Sequence, residues 1–366
     1  MKNIDRMERS FVVGSLMKRS VSAFILPWAV FAFSADCNVD FHRKYQERTA
    51  ESSFSWKKYP EAREAFEKLA ATAGDPIEKN MWQARIAAAV GLQKDKLEEG
   101  LALAKAIDDK PYSIYAQMEI MFAARDYKGI VSGFGTEDIA AWPPRRLAIL
   151  SLFTSNGSAT RDEDIRSMGL YYRGYAYYKT DSGKAAEKDL EKAAELINTD
   201  CLNVAILRAL AVLEGQLLRN KEKAFSVNMK ITNIRGGSKW DPSFMDSFLD
   251  AADYLREQKR YDEALDVLNR MRDIGISQVQ YIAIAKTLAE AGRIDEAIAA
   301  YRQSVYVHDS GLISQAYFAL GDLLAKSGKT DEAIAAYNKI IASEKCSSVD
   351  KAKAKKELEK LGKPAE

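Results

Sequence analysis

Two histidines, His42 and His308, and three cysteines, Cys37, Cys201 and Cys346, are the side chains of this 366-residue chain best suited to hold a metal or act as nucleophiles. Their setting serves neither chemistry. No histidine stands in a His-Glu-x-x-His pattern and no Cys-x-x-Cys pair occurs, so the spacing of a zinc site is missing. An odd number of widely separated cysteines predicts free or intermolecular thiols rather than a disulfide framework. Carboxylate pairs, the raw material of general acid and base catalysis, stand at Asp262-Glu263, Asp295-Glu296 and Asp331-Glu332. Each pair precedes an alanine in the same local context, which marks it as first-turn acid complementing a helix dipole. Gly133-Phe134-Gly135 lacks the third glycine and the preceding strand of a dinucleotide site and reads as turn chemistry. Asn156-Gly157-Ser158 matches a glycosylation acceptor, meaningful only in a eukaryotic secretory pathway. The sequence thus predicts no catalytic residue, no cofactor and no metal.

The recurrence itself is the stronger signal. Asp-Glu-Ala-Ile-Ala-Ala-Tyr occurs at residues 295–301 and again at 331–337. Aligned on its alanine, the pattern gives Ala264, Ala297 and Ala333, spaced by 33 and 36, each opening an amphipathic helix. Twelve residues before each lies another small residue, Ala252, Ala285 or Gly321, with Leu255, Leu288 or Leu324 three further on. Small residues at both places let two helices approach closely, so each copy predicts a helical hairpin. Gly292 and Gly328 fall where the first helix must end. Only 8 prolines and 20 glycines, with 47% apolar residues and no runs of alternating β-branched residues, make the chain all-α and exclude wholesale disorder.

These residues resemble the tetratricopeptide repeat family, a helix-turn-helix of about 34 residues with small residues twelve apart and large ones flanking them. Gly321, Ala333, Tyr317, Leu324 and Tyr337 occupy those places in the last copy, and Gly174, Tyr177, Ala186, Leu190 and Ala193 in a copy from Ser167. Weaker copies carry Tyr59, Ala62 and Phe66; Trp82 and Gly100; Tyr127; and Ala224. The resemblance implies a right-handed α-solenoid whose first helices line a concave surface that holds a protein or peptide. Carrying over the family's inner positions places Met168, Tyr171, Tyr175 and Tyr178 on that surface, followed by Leu249, Asp253 and Arg256, by Ile282 and Lys286, and by Phe318 and Asp322. The tyrosine stripe is open to two readings: anchors for a partner, or a core packed against Trp142 and residues 147–153. Relatives that clasp a chaperone's C-terminal carboxylate use Lys and Asn at inner positions that here hold other residues, which disfavours that activity.

At the amino end, Met17-Lys18-Arg19-Ser20 precedes thirteen mostly apolar residues, 21–33, and then small ones, the order of a secretory leader. Cleavage after Ser34 satisfies the small-residue rule, and Met17 is an alternative start. The Asp36 before Cys37 departs from a lipoprotein motif. The leader holds five Lys or Arg and two Asp or Glu, so the formal charge of +2 falls to −1 without it, no footprint for nucleic acid.

The expected organisation is a leader (1–34), a short segment (35–42), degenerate hairpins (43–130), an irregular helical insertion (131–166), repeats (167–345) and a capping helix with its tail (346–366). The expected function is an exported, non-enzymatic scaffold with a protein or peptide partner, outside the cytoplasm and without a membrane span in the mature chain. A self-assembling envelope component, hence a homo-oligomer, is the alternative, and an enzyme sited in the insertion a third reading.

Overall fold

A left-handed residue in every hairpin turn sets the repeat. The computed structural model describes residues 35–151, 159–197, 200–234, 242–273, 277–306 and 312–362. Within them, positive φ marks the hairpin turns at Lys57, Asp95, Arg125, Asp181, Arg219, Lys259, Gly292 and Gly328, and Gly362 has it after the last helix. Each turn residue stands five positions before a buried residue of the following helix: Ala62, Gly100, Ile130, Ala186, Ala224, Ala264, Ala297 and Ala333. The turns reverse the chain, and the result is an all-α solenoid of stacked helix-turn-helix hairpins. It divides into two compact units, Met1–Val227 and Asn228–Glu366.

The first unit begins with α1 (Ala35–Ser55), α2 (Tyr59–Ala71), α3 (Pro76–Gly91), α4 (Leu97–Lys105), α5 (Lys110–Ala123) and α6 (Tyr127–Phe134). Side chains start several of these helices. Asp75, Asp109 and Asp126 accept from the backbone N–H of Glu78, Tyr112 and Gly129, and proline lies in the first turn of α3 and α5. After a 3₁₀ turn (Ile139–Ala141) come α7 (Ile165–Lys179), α8 (Gly183–Leu196), α9 (Asp200–Val212), a π turn (Leu213–Leu217) and α10 (Lys221–Thr232), which crosses the boundary between the units. The second unit continues with α11 (Pro242–Glu257), α12 (Tyr261–Arg270), α13 (Gln278–Glu290), α14 (Ile294–Tyr306), α15 (Ile313–Lys326), α16 (Thr330–Ala342) and α17 (Ser348–Lys360).

The small residues sit where helices touch. Gly174, Ala186, Ala252, Ala264, Ala285, Ala297, Gly321 and Ala333 are all buried. A Cβ on Gly321 would stand 2.7 Å from the Tyr337 ring, so this glycine is what lets α16 lie so close to α15. Ala354 and Leu358 of α17 close the apolar cluster that also holds Tyr301, Leu324, Tyr337 and Ile340. Ser347 and Asp350 start α17 with a reciprocal capping box. On the outside, Lys329 reaches Asp295 at 2.7 Å and Arg293 reaches Asp262 at 3.4 Å, tying consecutive second helices together at the surface.

The insertion departs from its expected helical form. Arg146–Ser151 (β1) and Ala159–Asp164 (β2) pair as an antiparallel ribbon, with Arg146 opposite Asp164 and Ser151 opposite Ala159. Neither six-residue strand carries an apolar and polar alternation strong enough to announce itself, and β2 is largely charged. A two-stranded ribbon is marginal by itself, so packing on its surroundings must hold it. The expected leader, Asn156-Gly157-Ser158 and His308 lie outside the described residues. Cys346 is a buried free thiol.

Candidate functional site

In the second unit the inner positions present a mixed face. On α11, Leu249 is half-buried and Asp253 exposed; on α13, Ile282 is half-buried and Lys286 exposed; on α15, Phe318 is buried and Asp322 exposed. Arg256 bridges two helices, with Nη1 2.7 Å from Asp253 and Nε 2.8 Å from Glu290. The Tyr337 hydroxyl donates to Asp322 at 2.7 Å, and Lys353 Nζ lies 4.5 Å from the Phe318 ring centre, tying the closing helix α17 to this face. Half-buried Ile282 and Ala289 pack on the core below and keep apolar surface above. The face is an apolar strip edged by charges of both signs.

The same positions in the first unit are interior. Met168, Tyr171 and Tyr175 of α7 are buried and Tyr178 is half-buried, so the anticipated binding stripe is an aromatic core. Its partners belong to the preceding hairpin. The Tyr171 ring lies 5.9 Å from Phe122, and Tyr175 lies 5.3 Å from Phe122 and 5.8 Å from Tyr127. Trp142 from the insertion lies against the backbone of Gly169 on the same helix.

Beneath these rings runs a charged network that sequence reasoning missed. Arg85 of α3 is held by Glu51 of α1, with Nε 2.8 Å from Oε1 and a second bond from Nη2 to Oε2. Its Nη1 donates to Glu119 of α5 at 3.0 Å, and its guanidinium lies 4.2 Å from the Phe54 ring centre. All three ionic side chains are at most 12% exposed. Burial pushes the Glu51 carboxyl above its usual range, opposed by Arg85. Successive members are 34 residues apart, about one repeat length, which was the available signal: acid, base and acid on the first helices of three consecutive hairpins.

The ribbon lies on these first helices. β1 packs on α1 and α3, and β2 on α1 and α7. The Tyr112 hydroxyl of α5 donates to the Arg146 carbonyl, Arg146 Nη2 reaches Glu47 of α1 at 2.9 Å, and Arg145 Nε reaches Asp109 at 3.1 Å. Leu147, Glu163 and Glu47 are buried.

A third cluster lies between α8 and α10. Lys223 contacts Glu187, Glu191 at 2.7 Å and Glu214 at 2.8 Å, and Lys184 contacts Glu187 at 2.8 Å. Hydrogen bonds from Lys184 and then Lys223 lower the Glu187 pKa to about 2. A folded-state value depressed below the unfolded one gives stability that is present above the unfolded pKa, about 4.3, and is lost as pH falls toward about 2. Urea midpoints measured at several pH values between 5 and 2 will therefore decline less steeply for Glu187→Gln than for the parent chain. Equal slopes would place no stabilising charge on Glu187.

Hairpins stacked through small residues define a helical-repeat solenoid. Within it, residues 282–347 match the Tetratricopeptide repeat family model. Among solved structures the chain is similar in fold to the apo form of RapI, at 11% identity and a TM-score of 0.51, covering 87% of this chain and 99% of that one. It is also similar to yeast Tom70, at 15% identity and a TM-score of 0.41, covering 99% and 70%. MamA from Desulfovibrio magneticus RS-1 matches at 15% identity and a TM-score of 0.37, covering 47% and 92%. No curated protein matches the sequence. Among the described residues, no helix is long and apolar enough to cross a membrane.

Proposed function

We propose that this chain is an exported, non-enzymatic scaffold that holds a protein or peptide partner on the inner face of the second unit. The observation that carries the reading is the contrast between equivalent positions. Leu249, Ile282 and Lys286 keep accessible surface, whereas Glu51, Arg85 and Tyr171 are consumed by packing and ion pairing. A face with half-buried apolar residues between Asp253, Lys286 and Asp322 fits a segment that alternates apolar side chains with charges of both signs. Export rests on the basic and apolar order of residues 17–34.

Crosslinking the protein in its native fractions, followed by mass spectrometry, reads both halves of the proposal. The expected result is an amino terminus at Ala35 or Asp36 outside the cytoplasm, with partner crosslinks concentrated on α11, α13 and α15. Ile282→Asp places a charge in the apolar strip and is expected to weaken the recovered interaction by about 30-fold, the loss of an interface residue worth about 2 kcal/mol, with the fold intact by circular dichroism. Crosslinks confined to other helices, or an Ile282→Asp variant that binds as well as the parent, would refute the assigned face. An intact leader in the cytosol would refute export.

A further inference from the structure

An insertion in a repeat array ordinarily adds a surface loop, because loops tolerate extra length best away from packed helices. Here it turns inward. The 56 residues between Ile130 and Ala186 exceed the spacing of neighbouring hairpins, and the added chain forms β1 and β2, which lie on α1, α3 and α7 and are tied to α5 through Tyr112. Those four are the first helices of the first four hairpins. The ribbon therefore covers the surface that corresponds to the accessible inner face of the second unit.

Its mode of attachment is that of a bound extended peptide. One contact is to main chain, from the Tyr112 hydroxyl to the Arg146 carbonyl; two are charge-assisted, from Arg146 to Glu47 and from Arg145 to Asp109. Leu147 is fully buried beside them. We propose that the inner face of the first unit is a binding face for an extended, arginine-bearing strand, and that the chain fills it in cis with its own ribbon. External peptides of that class reach the face only when the ribbon leaves it. The face and its occupant both belong to the first unit, so the inference stands apart from partner binding on the second.

Tethering supplies the closure. A ribbon joined at both ends has an effective concentration of about 1 mM at its face. If the same segment binds in trans with a Kd of about 10 μM, the tethered copy leaves the face open about 1% of the time, and a competing peptide binds the intact chain about 100-fold more weakly than an unoccupied one.

The probe is a fluorescent synthetic peptide spanning residues 144–166, titrated by anisotropy against the full chain and against a variant whose residues 146–164 are replaced by a Gly-Ser linker. The expected result is binding to the linker variant about 100-fold tighter than to the full chain, weakened about tenfold by Arg146→Glu in the peptide. A linker variant that keeps its helical circular dichroism and does not bind the peptide overturns the proposal. If that variant does not fold, hydrogen exchange on full-length charge variants decides. Ribbon amides are expected to exchange faster in Arg146→Glu and to recover in the Glu47→Arg, Arg146→Glu double variant. Equal ribbon exchange in all three chains overturns it as well.

Discussion

Arg85→Ala is expected to lower the unfolding free energy of the first unit by about 3–5 kcal/mol, the cost of stranding buried charge. The guanidinium is the cation shared by Glu51 and Glu119, and it also stacks on Phe54. Truncation removes the cation and leaves two carboxylates in a site where burial already raises the Glu51 pKa. Glu119 Oε2 is buried without a hydrogen-bond partner among the described residues, so this carboxylate has no second donor to fall back on. Urea unfolding followed by circular dichroism is the measurement. A companion variant, Arg85→Met with Glu51→Leu and Glu119→Met, removes the charges together and is expected to recover most of the loss, because well-packed apolar groups replace buried ion pairs at little or no cost. A single-variant loss under about 1 kcal/mol would mean that water reaches the network, a surface-pair magnitude.

Gly100→Ala is the second large effect. A Cβ there would stand 2.3 Å from the Gly91 Cα, 2.5 Å from its nitrogen and 2.9 Å from the Ala87 carbonyl. All three are backbone atoms, so no side-chain rotation relieves the overlap and α4 must move off α3. Overpacking of this sort costs about 3 kcal/mol or more when the obstacle cannot yield. Gly133→Ala is the control, since its Cβ would meet nothing within 4 Å and an alanine suits a helix better by about 0.5–1 kcal/mol. Similar unfolding midpoints for the two variants would show that α3 and α4 are not in backbone contact.

The second unit was legible because three of its second helices open with Asp-Glu-Ala, two of them after a left-handed glycine, Gly292 or Gly328. The earlier hairpins use Lys57, Asp95, Arg125, Asp181 and Arg219 at the same place, and the first hairpin of the second unit uses Lys259. None of these is glycine, so the turn geometry was written in residues that do not signal it, and the register of Ala62, Gly100 and Ile130 emerged only from the backbone. The inner residues were identified by position but not by environment. Tyr171 and Lys286 hold related inner places, yet one is buried against Phe122 and the other is exposed, a difference set by neighbouring helices far away in sequence. The ribbon was illegible for the same reason. Its stability comes from Glu47, Asp109 and Tyr112, and short charged strands carry no record of them.

In a repeat stack most bonds between hairpins join residues about one repeat apart, as with the 34 positions separating Lys329 from Asp295. Such a stack frays from its ends, one hairpin at a time. The bond from Arg146 to Glu47 spans 99 positions and encloses α2 through α6. Long-range closure slows folding, because the loop must form before its contacts reward it. It also makes the opening hairpins a single cooperative block: a pull on α1 loads three hairpins together, where the same pull on α17 loads one.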